Sequence, residues 1–189
     1  MKRGAKVKGQ HESRRVRMTK KLMKDALLEL LEQQKLVNIS VTAICGTADV
    51  HRSTFYKYYT DPEDLLNDIE QDFLDRIPMP PKGFNQQNLE QLLAATTAYF
   101  DDVKKNKEAY RILFGDSAGN SFAPKLVEHL CSGYLPVGEE ADALTDRFIQ
   151  LYVANGTVGM LREWIEKDFP FSSREIAEKM YFLSRKVAY

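Results

Sequence analysis

The chain has 189 residues, 43% of them hydrophobic and 29% charged, and its formal net charge is zero. This length accommodates one domain, or a small domain joined to a larger one. The sequence has no run of 18 apolar residues, so no membrane-spanning helix is predicted. No apolar signal segment follows the basic N-terminus, and the two cysteines, far apart, do not form a disulfide framework. We therefore expect a cytoplasmic protein.

Charge is distributed unevenly along the chain. Residues 1–61 contain 13 Lys and Arg against 6 Asp and Glu, a net charge of +7, and the remainder carries −7. A basic first third favours a polyanionic partner for that part alone. Seven of those basic residues lie within residues 1–17. A basic tail on an ordinary soluble protein is therefore an alternative interpretation.

Helical periodicity dominates the first 77 residues, and strand signals are nearly absent. Helices are predicted at about 16–34, 41–48, 52–59 and 62–77. Ser40 is suited to cap the second helix. Asp61 is suited to cap the fourth, with Pro62 in its first position. A short turn of three residues, Asp49 to His51, separates the second helix from the third.

The sequence PMPPKG at 78–83 interrupts the helical pattern, because three prolines and a glycine cannot continue a helix. Beyond it, helices are predicted at about 86–106, 107–115, 122–134, 140–168 and 172–187. Ser172 and Glu175 form a capping box for the last of these. We expect a tail at 1–17, a first domain at 18–61 and a second at 62–189. Residues 62–77 form the helix that connects the domains.

Two short helices joined by a three-residue turn at 41–59 are typical of a helix-turn-helix. The second helix of this motif lies in the DNA major groove, and the first crosses the backbone. Phe55 and Tyr59 are spaced i, i+4 and can pack inward, whereas Arg52 lies on the other side and can pair with guanine. Hydroxyl and ammonium groups beside it suit phosphate oxygens. An amphipathic surface helix with solvated charges is the alternative interpretation of the same periodicity.

Residues 19–66 resemble the DNA-binding domain of the TetR/AcrR family of transcriptional regulators. The matching positions are Ser40, Val41, Ile44, Ala48, Val50, Thr54, Phe55, Tyr56, Tyr58, Tyr59, Asp64 and Leu65. The resemblance implies an all-α fold. In it, a three-helix helix-turn-helix domain is joined by a fourth helix to a C-terminal helical bundle for ligand binding and dimerisation. The weaker C-terminal pattern, with Gly156, Gly159, Trp164 and the sequence FSSREIAEKM, is similar to one C-terminal type of this family.

The function implied by this resemblance is sequence-specific DNA binding by a homodimer on a palindromic operator, in a ligand-responsive repressor. The alternatives are an activator, or control of the C-terminal domain by a protein partner. The basic segment before the first helix, including Arg17, either reaches the neighbouring minor groove or is a disordered tail. The candidate DNA-contacting residues are Arg17, Ser40, Thr42, His51, Arg52, Ser53, Thr54, Tyr56, Lys57 and Tyr58.

The sequence departs from the family pattern at four positions. Asp49 replaces a glycine of the turn, although aspartate tolerates the left-handed conformation better than most residues. His51 replaces a serine, which weakens the cap on the recognition helix. Pro62 replaces a lysine that would lie against phosphate. Cys45 replaces an alanine and is interpreted as a buried packing residue.

The second domain offers two sets of candidate residues. Candidate pocket residues are the aromatics Tyr99, Phe100, Tyr110, Phe114, Phe148, Tyr152 and Trp164, with plain core packing as the alternative. Candidate dimer-interface residues are Gly156, Gly159, Ile176, Met180, Leu183 and Val187. A glycine inside a helix costs about 1 kcal/mol relative to alanine. The two glycines therefore favour close packing against another backbone, with space for a ligand as the alternative.

Sequence signatures of catalysis are lacking. The chain has no Gly-rich phosphate loop, no G-x-S-x-G and no H-E-x-x-H. Its adjacent carboxylate pairs do not face each other on a helix, and its three histidines lack metal-ligand spacing. We expect no enzyme activity, no metal and no cofactor. The expected partners are double-stranded DNA, a second copy of the chain, and a small-molecule inducer or a protein.

Overall fold

The computed structural model describes residues 14–79, 89–133 and 142–188, without the side chains of 185, 187 and 188. Its regular elements within these ranges are all helical, which confirms the all-α prediction. The α-helices are α1 (Arg14–Leu31), α2 (Val41–Ala48), α3 (Arg52–Phe55), α4 (Pro62–Leu74), α5 (Leu89–Lys105), α6 (Lys107–Phe114), α7 (Phe122–Ser132), α8 (Ala143–Glu166) and α9 (Ser173–Ala188). The start of the predicted helix at 86–106 and that of the helix at 140–168 lie outside the described residues, as does much of the 78–83 interruption.

Helix ends follow the capping residues that the sequence predicts. The Ser40 hydroxyl accepts a hydrogen bond from the Ala43 N–H at 3.1 Å, and α2 starts directly after it. Asp61 caps α4 by accepting from the Asp64 N–H at 2.8 Å. The capping box is formed as well, because the Ser172 N–H donates to Glu175 Oε2 at 2.8 Å and the Glu175 N–H to Ser172 Oγ at 3.2 Å. These bonds satisfy N–H groups that a helix cannot satisfy internally.

The third helix is shorter than predicted. It ends at Phe55, and turns continue to Tyr58, whereas the sequence pattern predicts a helix up to Tyr59. The N–H groups of Tyr58 and Tyr59 both donate to the Phe55 carbonyl, at 2.9 and 3.0 Å, so the chain tightens into a 3₁₀-like turn. Phe55 has no exposed surface and Tyr59 is buried, which confirms their inward orientation.

Helices α1 to α4 pack around a shared apolar core that includes Phe55. The core is contributed by Met23, Leu27, Leu31, Ile44, Phe55, Leu65, Leu66 and Ile69. Helix α4 also contacts the remaining helices, where the rings of Phe73 and of Tyr110 on α6 lie nearly perpendicular with centroids 4.8 Å apart. Helix α4 therefore contacts both parts of the fold.

Helices α5 to α9 form the larger body of the chain. Helix α5 packs on α9, and α7 packs on α8. Aromatic rings fill the core, with Phe100 against Trp164 at 5.4 Å and Phe114 against Phe122 at 5.2 Å between centroids. The Trp164 indole N–H donates to the Phe171 carbonyl at 3.0 Å, which satisfies a buried polar group.

The buried ring of Phe55 is expected to hold residues 51–59, which we call the recognition segment, in place. Phe55→Ala should lower the free energy of unfolding by about 3–5 kcal/mol, because it leaves a cavity in the core of the head. Tyr56→Ala is the matched control. Its ring is 59% exposed, so the loss should stay within about 1 kcal/mol. Urea denaturation of both variants measures the difference, and equal losses would contradict the proposed anchoring.

Candidate nucleic-acid interface

The turn between α2 and α3 is built on a left-handed residue. Asp49 has φ 52° and ψ 49°, and its N–H caps the carbonyl end of α2 at Gly46. The next N–H, of Val50, donates to the Cys45 carbonyl at 3.0 Å. This is a helix C-cap in which glycine is the usual residue. Asp49 thus preserves the turn, as predicted, and adds an exposed carboxylate to it.

The structure places His51 at the start of α3 and Cys45 in the core, as the sequence predicts. His51 is the N-cap residue of α3, and its side chain makes no capping hydrogen bond. The weaker cap predicted from the replacement of serine is therefore present. Cys45 is buried, and this burial raises the pKa of its thiol, which the nearby Arg52 guanidinium partly opposes. A buried thiol with a raised pKa is suited to packing and not to redox reactivity.

One face of the recognition segment is exposed and bears polar side chains. Residues Arg52, Ser53, Tyr56 and Lys57 are exposed, whereas Thr54 and Tyr58 are half-buried. Two ammonium groups lie over the Tyr58 ring. That of Lys57 is 5.5 Å from the ring centroid, and that of Lys20 on α1 is 5.9 Å from it. Aromatic and basic groups therefore occupy the same surface, on a segment whose opposite side is anchored in the core.

The arginine at the start of α3 is in contact with α2. The Arg52 guanidinium donates to the Thr42 hydroxyl, so two candidate DNA-contacting residues from different helices lie together. A guanidinium has five N–H donors, which leaves other N–H groups of Arg52 for a further partner. Ser40 caps α2 two residues before Thr42, and Arg17 is exposed in the first turn of α1. Residues 1–13 of the predicted tail lie outside the described residues.

The recognition segment is tied to α4 by a polar cluster. The Tyr59 hydroxyl donates to Asp68 Oδ2 at 2.6 Å, and Lys24 of α1 forms ion pairs with Asp68 at 2.9 Å and Asp72 at 2.6 Å. Partial burial raises the pKa of Asp68. The hydrogen bonds from Tyr59 and Lys24 and the charges of Lys24 and Lys20 outweigh this effect, and the pKa lies below its usual value.

The predicted pocket residues differ in burial. Tyr99, Phe100, Tyr110, Phe114 and Trp164 are buried in the core of the body, whereas Phe148 and Tyr152 are 62% and 66% exposed on α8. The assignment of these residues to a pocket stays a prediction. A cleft of about 330 Å³ is lined by Arg111, Phe114, Gly115, Arg162, Ile165 and Glu166, and includes one of the predicted residues.

Two hydroxyl groups are enclosed in this aromatic core. The Tyr110 hydroxyl donates to the Tyr99 hydroxyl at 3.2 Å. Burial raises the pKa of Tyr99 to about 12 and also raises that of Tyr110. Both phenols are therefore neutral, and the single bond gives the Tyr110 hydroxyl an acceptor and the Tyr99 oxygen a donor.

The predicted dimer-interface residues fall into two groups. Ile176 and Met180 are buried in the chain's own core, which leaves little of either side chain for a second chain to contact. Gly156 and Gly159 are exposed, and a Cβ added to either would have no atom within 4 Å. Leu183 is also exposed, and the side chain of Val187 lies outside the described residues.

One face of α8 is exposed and apolar. It consists of Leu144, Phe148, Tyr152, Gly156 and Gly159, which we call the α8 row. The spacing of four residues from 144 to 156 is the signal that places these residues on one side of the helix.

The body of the chain also has a recognisable family pattern. The family model described as "Transcriptional regulator C-terminal region", of the TetR type, matches residues 90–186, more than half of the chain. The chain belongs to the TetR family of transcriptional regulators. The HTH-type dhaKLM operon transcriptional activator DhaS of Lactococcus lactis is 38% identical to this regulator over 72 residues. That match spans 38% of each protein, about two fifths of the relative's length.

Solved structures share the fold of this TetR-family regulator at lower sequence identity. A TetR regulator from Streptococcus agalactiae is 18% identical with a TM-score of 0.66, covering 90% of this chain and 96% of its own. The dihydroxyacetone kinase operon activator DhaS is 22% identical with a TM-score of 0.59, covering 89% and 94%. NalD of Pseudomonas aeruginosa, the secondary repressor of the MexAB-OprM multidrug efflux pump, is 16% identical with a TM-score of 0.58, covering 91% and 97%. At such identities the likeness shows the fold alone.

The described residues of this TetR-family regulator contain neither a membrane-spanning helix nor a metal site. None of the helices within the described ranges is long and apolar enough to cross a bilayer. In the same part of the chain, no group of histidine, cysteine and carboxylate side chains is arranged to hold a metal ion.

The lowered pKa of Asp68 predicts a pH-dependent contribution to stability. Because the folded-state pKa of Asp68 lies below the ordinary aspartate value of about 3.9, this contribution is present above that value and is lost as pH falls through the folded-state pKa. Asp68→Asn should therefore be less stable than wild type at pH 7 and lose less stability on acidification. Tyr59→Phe, which removes one of the donors, should give an intermediate profile. Thermal unfolding between pH 7 and pH 3 tests this, and identical profiles for wild type and Asp68→Asn would refute it.

Proposed function

We propose that this regulator binds operator DNA through the segment 51–58, which enters the major groove with Arg52 on a guanine edge. The proposal is supported above all by the exposed polar face of a very short helix whose other side is anchored by Phe55 and Tyr59. Such a face is suited to contact a polyanion. Tyr56 and Lys57 supply a hydroxyl and an ammonium group for phosphate oxygens.

Thr42 contributes to the same surface in this proposal. Its hydroxyl accepts one N–H of Arg52 and holds the guanidinium near the start of α3. The remaining N–H groups then face the duplex in a preset orientation, which lowers the entropy lost on binding. Ser40 and His51 lie at the first residues of the two helices of the motif, where the backbone N–H groups favour a phosphate. We also propose that the regulator works in the cytoplasm, where a bacterial chromosome lies.

We further propose that two copies associate through the α8 row. Exposed apolar side chains that form a continuous row mark association surfaces more often than scattered ones do. The two glycines at its end present bare backbone, so another helix can approach closely there. Phe182 and Leu183 of α9 are exposed as well and extend the apolar surface. A twofold dimer would place two recognition segments on half-sites about 34–36 Å apart.

The proposed mode of action is ligand-responsive repression. A ligand that binds the body would shift α4 and change the spacing of the two recognition segments, which lowers operator affinity. Activation is the second candidate, and the observation in its favour is the 38% identity over 72 residues with an activator, DhaS. A protein partner of the body is the corresponding alternative to a small molecule. Transcription from a promoter that carries the operator, with and without the regulator, separates repression from activation.

The DNA-binding proposal predicts distinct effects for two basic residues. With an operator selected from random duplexes, Arg52→Ala should weaken binding by about 1–3 kcal/mol and relax specificity at one base pair. Lys57→Ala should weaken binding to all sequences and lower the slope of log affinity against log salt by about 1. Fluorescence anisotropy titrations at several salt concentrations measure both effects.

The control is Arg111→Ala, in the body of the chain, which should leave operator binding unchanged. Wild-type protein that binds no duplex in a salt-dependent manner would refute the DNA-binding proposal itself. Wild-type affinity in both variants would refute the assignment of the contacts.

The dimer proposal predicts that a charge in the α8 row separates the two chains. Tyr152→Asp and Phe148→Asp should shift the sedimenting species from dimer to monomer, because each places a carboxylate in an apolar contact. Affinity for the full operator should fall, while affinity for an isolated half-site stays the same. Leu22→Asp, at a 44% exposed leucine of α1, is the matched control and should remain dimeric. Dimers of unchanged stability in both α8 variants would refute this interface.

A further inference from the structure

The connecting helix α4 contains a charged side chain that is completely buried. Glu70 has no exposed surface, although glutamate is rarely buried unless it is paired. Its two carboxylate oxygens have separate partners. The Ser121 hydroxyl donates to Oε1 at 2.5 Å, and the Lys125 ammonium group contacts Oε2. Lys125 also donates to the side-chain oxygen of Asn67, one turn earlier on α4, at 2.5 Å.

These partners all join α4 to the start of α7. Ser121 is the residue before α7, and Lys125 lies one turn into it. We call Asn67, Glu70, Ser121 and Lys125 the α4–α7 polar cluster. Helix α4 thus has two polar sides. Asp68 and Asp72 hold it to the head through Lys24, and the α4–α7 polar cluster holds it to the body.

Stability alone gives a weak reason for such a cluster. Glu70 is fully buried, whereas the Lys125 side chain is 38% exposed. Such a pair is often no more stabilising than apolar side chains of similar volume, because the buried charge loses its hydration. Removing Lys125 would be costly, however, since the Glu70 carboxylate would be left buried without its ion-pair partner.

The start of α7 is also coupled to the aromatic core of the body. Phe122, which follows Ser121, has no exposed surface and lies against the rings of Phe114 and Tyr110, at centroid distances of 5.2 and 6.3 Å. A change of packing in that core would act on Phe122 and on Ser121 beside it. If α7 moved and α4 did not, Glu70 would lose its partners.

We propose that the α4–α7 polar cluster is the contact through which the packing state of the body controls the position of the DNA-binding head. This inference rests on the proposed function, because it specifies how regulation would reach the recognition segment. It assigns a regulatory role to Glu70. The position of α7 would act on Glu70 through its contacts with Lys125 and Ser121.

Operator DNA serves as the probe, because coupling between two sites is reciprocal. If the state of α7 alters operator affinity, operator binding must alter the state of α7. In the full-length wild-type protein, saturating operator should change the amide hydrogen-exchange rates of residues 122–132 by about 5-fold or more, the lower range of allosteric coupling. Exchange is followed by mass spectrometry with and without the duplex.

The decisive variant is the double substitution Glu70→Leu with Lys125→Met, which replaces the ion pair by apolar side chains of similar size. It should still bind the operator, and the response of residues 122–132 should be lost. The matched control is Glu90→Leu with Arg174→Met, which removes an ion pair of 2.9 Å between α5 and α9 within the body. In this control variant, operator should change the exchange rates of residues 122–132 as much as it does in wild type. Should the first double variant fail to fold, Glu70→Gln with Ser121→Ala disrupts the same contacts with less change in shape.

The outcomes separate the two proposals. Protein that binds no DNA refutes the proposed function. Wild-type protein that binds operator without any change in the exchange of residues 122–132 refutes the coupling alone. A variant of the α4–α7 polar cluster that folds, binds operator and responds as wild type does also refutes it.

Discussion

The burial of Phe55 and Tyr59 is the interaction on which the DNA-facing surface depends. Helix α3 has four residues, far fewer than an isolated helix needs in water. Its conformation therefore comes from tertiary packing and not from propensity. Because two aromatic side chains of the segment supply that packing, the others are free to be basic or hydroxylic. The mixture of aromatic and polar residues at 52–59 follows from these two requirements on one short stretch.

The same anchoring makes the recognition segment follow α4. Tyr59 is both a core residue and the donor to Asp68, so the end of the segment is bonded directly to the connecting helix. Lys24 adds α1 to the same cluster. Tyr59 and Lys24 thus bind α4 to the head through Asp68 and Asp72, whereas Phe73 and Glu70 bind it to the body. A path of packed and bonded groups joins the exposed arginine to the aromatic core.

Local rules were sufficient to predict much of this fold. The caps at Ser40 and Asp61 and the left-handed Asp49 depend on near neighbours in the sequence, and the structure has them. Periodicity could not predict which apolar faces are buried and which are exposed, because that depends on which helix packs against each face. It places Tyr152 and Met180 on apolar faces but does not say that the first is exposed and the second covered by the chain's own helices. Glu70 was not foreseen at all, since a glutamate on a helix is ordinarily solvated.

The closed core of the body restricts how an effector can act. The hydroxyls of Tyr99 and Tyr110 satisfy each other among aromatic rings. A small molecule that entered between them would have to replace that hydrogen bond, because a buried hydroxyl without a partner costs about 1–3 kcal/mol. An apolar ligand would bring no such replacement and would bind poorly there. A ligand with a polar group could do so, and it would move Tyr110 against Phe73 and Phe122, the rings adjoining α4 and α7. For the proposed small-molecule effector, binding at this point would therefore require a polar group.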